Sequence, residues 1–212
     1  MNQDEIKEQN ALWVKLQDLE WNMYKESPVG VFSVDGLVGA EVTGATIQKI
    51  LIEGSTCLDI GCGALPLPSY MKAAPKIDFY GIDPYYGDEK RKFDFRQSFA
   101  EGLPFEDQCF DGVLFATSLD HCIKPCKAIQ EAYRVLKPNG YLFVWATIRD
   151  ADAKYKNWYN SPKPYQYDSY HMWVFTQNSI QYVLKDFSPI QLRMLSKYAN
   201  GYEALIICQK PN

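Results

Sequence analysis

Thr56-Cys57-Leu58-Asp59-Ile60-Gly61-Cys62-Gly63 is the stretch on which the fold turns. Its first five residues form a short apolar run with β-branched ends, which reads as a buried strand. The glycines after it permit a tight turn into the next element. Working outward, Asp78-Phe79-Tyr80-Gly81-Ile82 is a second strand ending at Asp83-Pro84. Phe95 to Ser98 is a third, Gly112 to Ala116 a fourth and Tyr141 to Thr147 a fifth. Helices fall over Leu67 to Ala73 and Lys127 to Leu136; Lys137-Pro138-Asn139-Gly140 stops the second, since proline cannot continue a helix.

Upstream, Ile6 to Tyr24 carries Leu12, Leu16, Leu19 and Met23 on one helical face, and a further helix covers Gly44 to Leu51. Downstream, Ile180, Val183, Leu184 and Phe187 mark a helix with Thr176 as its N-cap. Ile190 to Leu195 and Ala204 to Cys208 then form a hairpin through Asn200-Gly201. The expected fold is α/β, a three-layer sandwich around a Rossmann-like, mostly parallel seven-stranded sheet with a terminal antiparallel hairpin. Asp83 to Phe95 is barely long enough for a parallel crossover, so its helix is expected to shrink to a turn. One domain is expected over 1–212, with 1–50 as a helical cap and 148–178 as an aromatic-rich insertion.

Composition narrows the function classes. With 47% apolar and 23% charged residues, the 212-residue chain can bury a full core. Its 22 basic against 26 acidic side chains give a net charge of −4, not the basic footprint of a nucleic-acid binder. No apolar run is long enough to span a bilayer, so no membrane association is expected. The acidic start Met1-Asn2-Gln3-Asp4-Glu5 lacks an export signal's n-region, and six scattered cysteines suit a reducing, cytoplasmic compartment. Cys122 and Cys126 have no second pair at zinc-like spacing and read as packing residues; no metal is expected.

In an open α/β sheet, ligands bind beyond the carboxyl ends of the strands. Here Gly61 and Gly63 let backbone N–H groups approach a ligand, and a helix dipole behind them would favour negative charge. Twenty-four residues after Asp59, Asp83 ends the second strand, where a carboxylate suits a ribose diol. Together these favour a nucleoside-containing ligand.

The chain resembles the class I S-adenosylmethionine-dependent methyltransferases from about Thr56 to Trp145, and within them the small-molecule type 11-like subfamily. The resemblance rests on Leu58-Asp59-Ile60-Gly61-Cys62-Gly63, Gly81-Ile82-Asp83, Leu103-Pro104-Phe105 with Phe110-Asp111-Gly112-Val113, and Arg134-Val135-Leu136-Lys137-Pro138-Asn139-Gly140. It implies that Asp59, Gly61, Cys62 and Gly63 shape the methionine and ribose pocket and that Asp83 holds the ribose diol. Tyr85 would lie on the adenine face, Ala100 would offer a backbone N–H to adenine, and the Ser118 carbonyl would face the methionine ammonium. Two positions depart from the pattern: Leu65 replaces the third glycine, and Phe99 stands where an acid often meets the adenine amino group, with Glu101 or a backbone carbonyl as substitute. Asp83-Pro84-Tyr85-Tyr86 imitates the Asp-Pro-Pro-Tyr of amino-methylating DNA enzymes, but that motif belongs after the fourth strand, where this chain has Ser118-Leu119-Asp120-His121.

Methyl transfer to oxygen or nitrogen often needs a base, and the chain has only two histidines. His121 follows the fourth strand; it is either that base, with Asp120 orienting it, or a helix-start residue beside an Asp120 N-cap. The insertion supplies Tyr167, His171 and Trp173 as candidate acceptor-binding residues, either as a binding segment or as packing over the core. The N-terminal helix either closes the cofactor side or pairs two copies as a homodimer. The expected function is S-adenosylmethionine-dependent transfer, leaving S-adenosylhomocysteine, to an O or N atom of a small molecule such as a saccharide or nucleotide-sugar precursor. A non-catalytic S-adenosylmethionine-binding module is the alternative, drawing on Leu65 and Phe99. A nicotinamide-dependent oxidoreductase would need a glycine at Pro66.

Overall fold

The computed structural model describes residues 10–19, 22, 38–85, 90–150, 171–198 and 200–212. In chain order these give α1 (residues 10–19), α2 (Val38–Ile50), β1 (Thr56–Ile60), α3 (Ser69–Lys72), β2 (Asp78–Asp83), β3 (Asp94–Gln97) and β4 (Phe110–Ala116). A 3-10 turn over Leu119–His121 follows, then α4 (Pro125–Val135), β5 (Leu136–Arg149), β6 (Phe175–Thr176), α5 (Gln177–Val183), β7 (Ser188–Tyr198) and β8 (Gly201–Gln209). The strands lie in the order β3-β2-β1-β4-β5-β8-β7, with the two-residue β6 pairing β5 as an unforeseen eighth. β1 pairs in parallel with β2 and β4, while β8 runs antiparallel between β5 and β7. The expected sandwich and its terminal hairpin are present.

The central strands are buried on both faces, as parallel sheets covered by helices must be. Along β4 and β5, Val113, Phe115, Leu142, Val144 and Ala146 face α1, α4 and α5, sharing one core with Trp13, Leu16, Ile129 and Ile180. Their neighbours Leu114, Ala116, Phe143 and Trp145 face α2 and α3, in a second core with Ile47, Tyr70 and Met71. The strand period of two sorts each strand between these layers. α2 packs so closely that a Cβ on Gly39 would stand 2.4 Å from the Trp145 ring. It is therefore part of a layer, while Trp13 of α1 reaches His121 and Phe99 beyond the strand tips.

Three expectations are revised. The helix expected over 67–73 is the single turn Ser69–Lys72, because Pro68 disfavours a helical conformation at Leu67. The element after the glycine turn is therefore too short to direct a helix dipole at it. Lys137-Pro138-Asn139-Gly140 ends α4 but does not separate it from the next strand. It forms a bulge inside β5, whose register on β4 jumps from Phe110↔Leu136 to Gly112↔Tyr141. Asn139 takes φ 62°, Lys137 Nζ donates to Asp111 Oδ1 at 2.7 Å, and Asn139 N–H donates to the Lys210 carbonyl at 3.1 Å. On α1, Leu16 is buried but Leu19 is exposed, since Trp13, Leu16 and Gln17 form the inward face. Thr176 does cap α5: its Oγ1 accepts from Ser179 N–H at 3.2 Å, and Ser179 Oγ accepts from Thr176 N–H at 2.8 Å.

Candidate active site

The tips of β1, β2 and β4 enclose the site. After Ile60 the chain turns through Gly61 at φ +80°, where a Cβ would stand 2.5 Å from the Ser118 Cβ. Only glycine fits that approach. Ser118 Oγ donates to the Ile60 carbonyl and ties the tip of β4 to that of β1. Gly61 and Cys62 N–H both donate to the Ile82 carbonyl, at 2.8 and 3.0 Å, and Gly63 N–H donates to Asp83 Oδ2 at 2.9 Å. The turn's N–H groups therefore fasten β1 to β2, where the sequence had suggested donors for a ligand. What the turn offers is room among the described residues: Gly63, at φ +66°, has none of their atoms within 4 Å of where a Cβ would lie.

Asp83 sits at the mouth. Its Oδ1 accepts from Tyr85 N–H at 2.9 Å while Oδ2 holds Gly63. An ionised carboxylate accepts at about four lone-pair sites in all, the kind of group that meets two adjacent hydroxyls. Arg91, which the sequence reading missed, donates through Nη2 to the Gly63 carbonyl at 2.8 Å and lies 3.7 Å over the Phe95 ring. Asp83 and Arg91 thus hold Gly63 from both sides, one at its N–H and one at its carbonyl.

Asp59 works from beneath the turn. It is fully buried, and Tyr70 Oη donates to its Oδ2 at 2.6 Å. Burial pushes its carboxyl up to about 7, against the Tyr70 hydrogen bond and with help from the Asp83 charge. Its Oδ1 has no hydrogen-bond partner among the described residues. A buried orphan acceptor beside an open glycine suits the amino group of an amino-acid ligand. Cys62 is buried, and its sulfur lies where a Gly81 Cβ would come within 2.9 Å, so its side chain packs against β2.

On the β3 side, Ala100 is buried, whereas Phe99 is 46% exposed and its ring centroid lies 5.2 Å from that of Trp13. Glu101 Oε1 accepts from Lys124 N–H at 2.9 Å, at the start of α4. Trp13 also donates from Nε1 to the His121 carbonyl at 2.8 Å. α1 therefore bridges the β3 and β4 exits across the site. The apolar spacing of the N-terminal helix marks it as amphipathic, but nothing local tells which surface its apolar face meets.

Beyond β4, the Ser118 carbonyl accepts from His121 N–H at 3.1 Å within the 3-10 turn. The Asp120 carbonyl accepts from Met172 and Trp173 N–H at 3.0 and 3.1 Å, drawing in the C-terminal part of the aromatic-rich insertion. Trp173 Nε1 donates to the Cys122 carbonyl at 2.6 Å. These bonds bring His171 beside His121, with ring centroids 4.8 Å apart, and both Nε2 atoms beside the buried Asp120 carboxylate. Tyr167 lies outside the described residues. The structure thus gathers Asp120, His121, His171 and Trp173 next to the glycine turn's β4 wall.

Residues 58–144 match the family model described as a methyltransferase domain. Over this segment, which is less than half of the chain, the protein is similar to methyltransferase domains. The chain shares 35% identity over 104 residues with an uncharacterized methyltransferase of Schizosaccharomyces pombe, covering 46% of this chain and 41% of that one. The chain spans less than half the length of the first curated relatives it matches. Among solved structures, the Burkholderia thailandensis 1,6-didemethyltoxoflavin-N1-methyltransferase, with S-adenosylhomocysteine and 1,6-didemethyltoxoflavin bound, superposes with a TM-score of 0.71 at 14% identity, over 94% of this chain and 89% of that one. The cyclase SpnF superposes with a TM-score of 0.62 at 19% identity, over 81% of this chain and 80% of that one. At such identities the likeness shows the fold, which hosts more than one chemistry.

Proposed function

We propose that the protein transfers a methyl group from S-adenosylmethionine to an oxygen or nitrogen of a small polar molecule. The observation that carries this reading is the joining of Asp83, Gly63 and Asp59 at the tips of β1 and β2. They offer a carboxylate at the mouth, an open glycine and a buried acceptor oxygen without a partner among the described residues. S-adenosylmethionine, when bound, supplies a methyl group activated on a sulfonium. Asp83 would meet the ribose hydroxyls, Asp59 Oδ1 and the Ser118 carbonyl would face the amino group, and Phe99 and Ala100 would line the adenine end.

Transfer is an in-line displacement, so the chain's main task is to hold the acceptor against the activated methyl group. Trp13 and Trp173 would wall off water, and the protein would release S-adenosylhomocysteine. His121 would take the proton from an acceptor hydroxyl or amine, with Asp120 steadying the resulting imidazolium. His171 and Trp173 would contact the acceptor together with Tyr167. A ring-bearing acceptor with several hydroxyls, such as a saccharide or nucleotide-sugar precursor, suits this mixture of imidazole, carboxylate and indole.

The test is release of S-adenosylhomocysteine from a panel of saccharides, nucleotide sugars and nitrogen heterocycles. Turnover is expected with at least one of them. His121→Ala should slow it about a hundredfold or more while leaving S-adenosylmethionine affinity within about twofold, the pattern of a lost proton acceptor rather than a lost cofactor contact. A protein that binds S-adenosylmethionine yet turns over none of the panel would instead fit the non-catalytic binding module.

A further inference from the structure

Asp120, His121 and His171 do more than line the acceptor side, because their donor atoms converge. One ligand atom from each lies within 4.8 Å of the others. His121 Nε2 is 3.9 Å from Asp120 Oδ1, and His171 Nε2 is 3.8 Å from Asp120 Oδ2. These separations are too long for hydrogen bonds. A tetrahedral ion with bonds of about 2.0–2.1 Å would set its ligands roughly 3.3 Å apart, so the three ligand atoms would have to close by between about half an ångström and about 1.5 Å. Asp120 is buried, and its Oδ1 has no hydrogen-bond partner among the described residues. A buried carboxylate oxygen left that way is costly unless a cation meets it.

The backbone beneath the three side chains is fixed at four points: Met172 N–H and Trp173 N–H on the Asp120 carbonyl, Trp13 Nε1 on the His121 carbonyl, and Trp173 Nε1 on the Cys122 carbonyl. Such a frame holds donors in place before a ligand arrives, which is what a metal site requires of its surroundings. We propose that Asp120, His121 and His171 bind a divalent transition-metal ion. Two imidazoles and one carboxylate suit Zn²⁺ and Co²⁺, whereas Mg²⁺ and Ca²⁺ demand a shell of oxygens. The sequence alone pointed away from a metal because His171 stands fifty residues from His121. The consequence for turnover rests on the reading of the preceding subsection. An ion held by His121 Nε2 occupies the lone pair that would take the acceptor's proton, so the ion-bound protein should transfer methyl groups more slowly.

The test uses the full, tag-free chain after treatment with a chelator. Co²⁺ is titrated by visible absorption and then displaced with Zn²⁺, and S-adenosylmethionine binding is measured on the same ion-free sample by calorimetry. The expected result is one equivalent of Co²⁺ with the intense bands of a low-coordinate nitrogen and oxygen site, displaced by Zn²⁺ but not by Mg²⁺. His171→Asn and Asp120→Ala should each weaken binding by about a hundredfold or more, with folding checked by circular dichroism. His171→Asn serves if Asp120→Ala does not fold. Folded parent protein that shows no saturable Co²⁺ spectrum, or binding unchanged in folded His171→Asn, overturns the proposal. S-adenosylmethionine binding without Co²⁺ binding would defeat this inference alone, and the reverse outcome would defeat the methyl-transfer reading alone.

Discussion

An Asp83→Ala chain should bind S-adenosylmethionine about a hundredfold more weakly than the parent, or worse. Removal of the carboxylate would take away the acceptor for two ribose hydroxyls and, at the same time, the partner of Gly63 N–H and Tyr85 N–H. Hydrogen bonds to a charged group contribute about 1.5–3 kcal/mol each, and each 1.4 kcal/mol is about tenfold in affinity. The loss of two such bonds to the ligand therefore accounts for a hundredfold, before any loosening of the glycine turn. Asp83→Asn keeps one acceptor oxygen and should fall between the two. Calorimetric titration of the three proteins checks the order. An Asp83→Ala affinity within about threefold of the parent would mean that the ribose is held elsewhere.

The second large effect concerns stability. Arg134, near the end of α4, donates to the carbonyls of Leu103 and Phe105 at 3.1 and 2.8 Å and to Asp107 Oδ1 at 2.8 Å. It also donates to Glu131 Oε2 at 2.9 Å, an oxygen that in addition accepts from Leu103 N–H at 3.0 Å. The Arg134 guanidinium holds the nearly buried Glu131 carboxyl down at about 2, against the effect of burial. A carboxylate stripped of its buried partner costs about 3–5 kcal/mol. Because Arg134 is itself partly exposed, Arg134→Ala should cost somewhat less, about 2–3 kcal/mol, equivalent to roughly 5–10 °C in Tm for a chain of this size. The sign of the pH dependence follows from the lowered pKa. The contribution is complete above the ordinary glutamate value of 4.5 and disappears as pH falls toward about 2. Parent and variant should thus converge in urea denaturation as the pH is lowered from 7 to 3. A gap of the same size at both values would show that the guanidinium acts through packing and its carbonyl contacts, not through Glu131.

Most of the frame was legible because its residues carry both local and global information. Thr56–Ile60 forms where its apolar run predicts, and the alternation along β4 and β5 sorts Val113 from Leu114 and Val144 from Trp145 as a sheet covered on both faces requires. Gly61 and Asp83 could be named from position alone, since the end of a strand is where a tight turn and a ligand-facing carboxylate belong. The errors lie where long-range contacts decide. Lys137-Pro138-Asn139-Gly140 has the chemistry of a terminator, yet Asp111 and Lys210 recruit it as a bulge within β5. Arg91 carries no local signature of its hold on Gly63, nor Glu101 of the Lys124 N–H that its Oε1 accepts. His171 could be named as a candidate from the aromatic-rich insertion, but its place beside Asp120 depends on two backbone bonds just beyond β4 that no spacing encodes. Trp13 shows the same limit, since a helical face can be read from the sequence but the surface it covers cannot.

The central claim is that the tips of β1 and β2 hold an adenosyl sulfonium. Calorimetric titration of the parent chain with S-adenosylmethionine, S-adenosylhomocysteine and NAD tests it most directly. The account predicts saturable one-to-one binding of the two adenosyl compounds and none of NAD, because Pro66 occupies the position of the dinucleotide turn's third glycine. Folded protein that gives no binding heat with either adenosyl compound at millimolar concentration, or that binds NAD in preference to both, would contradict it.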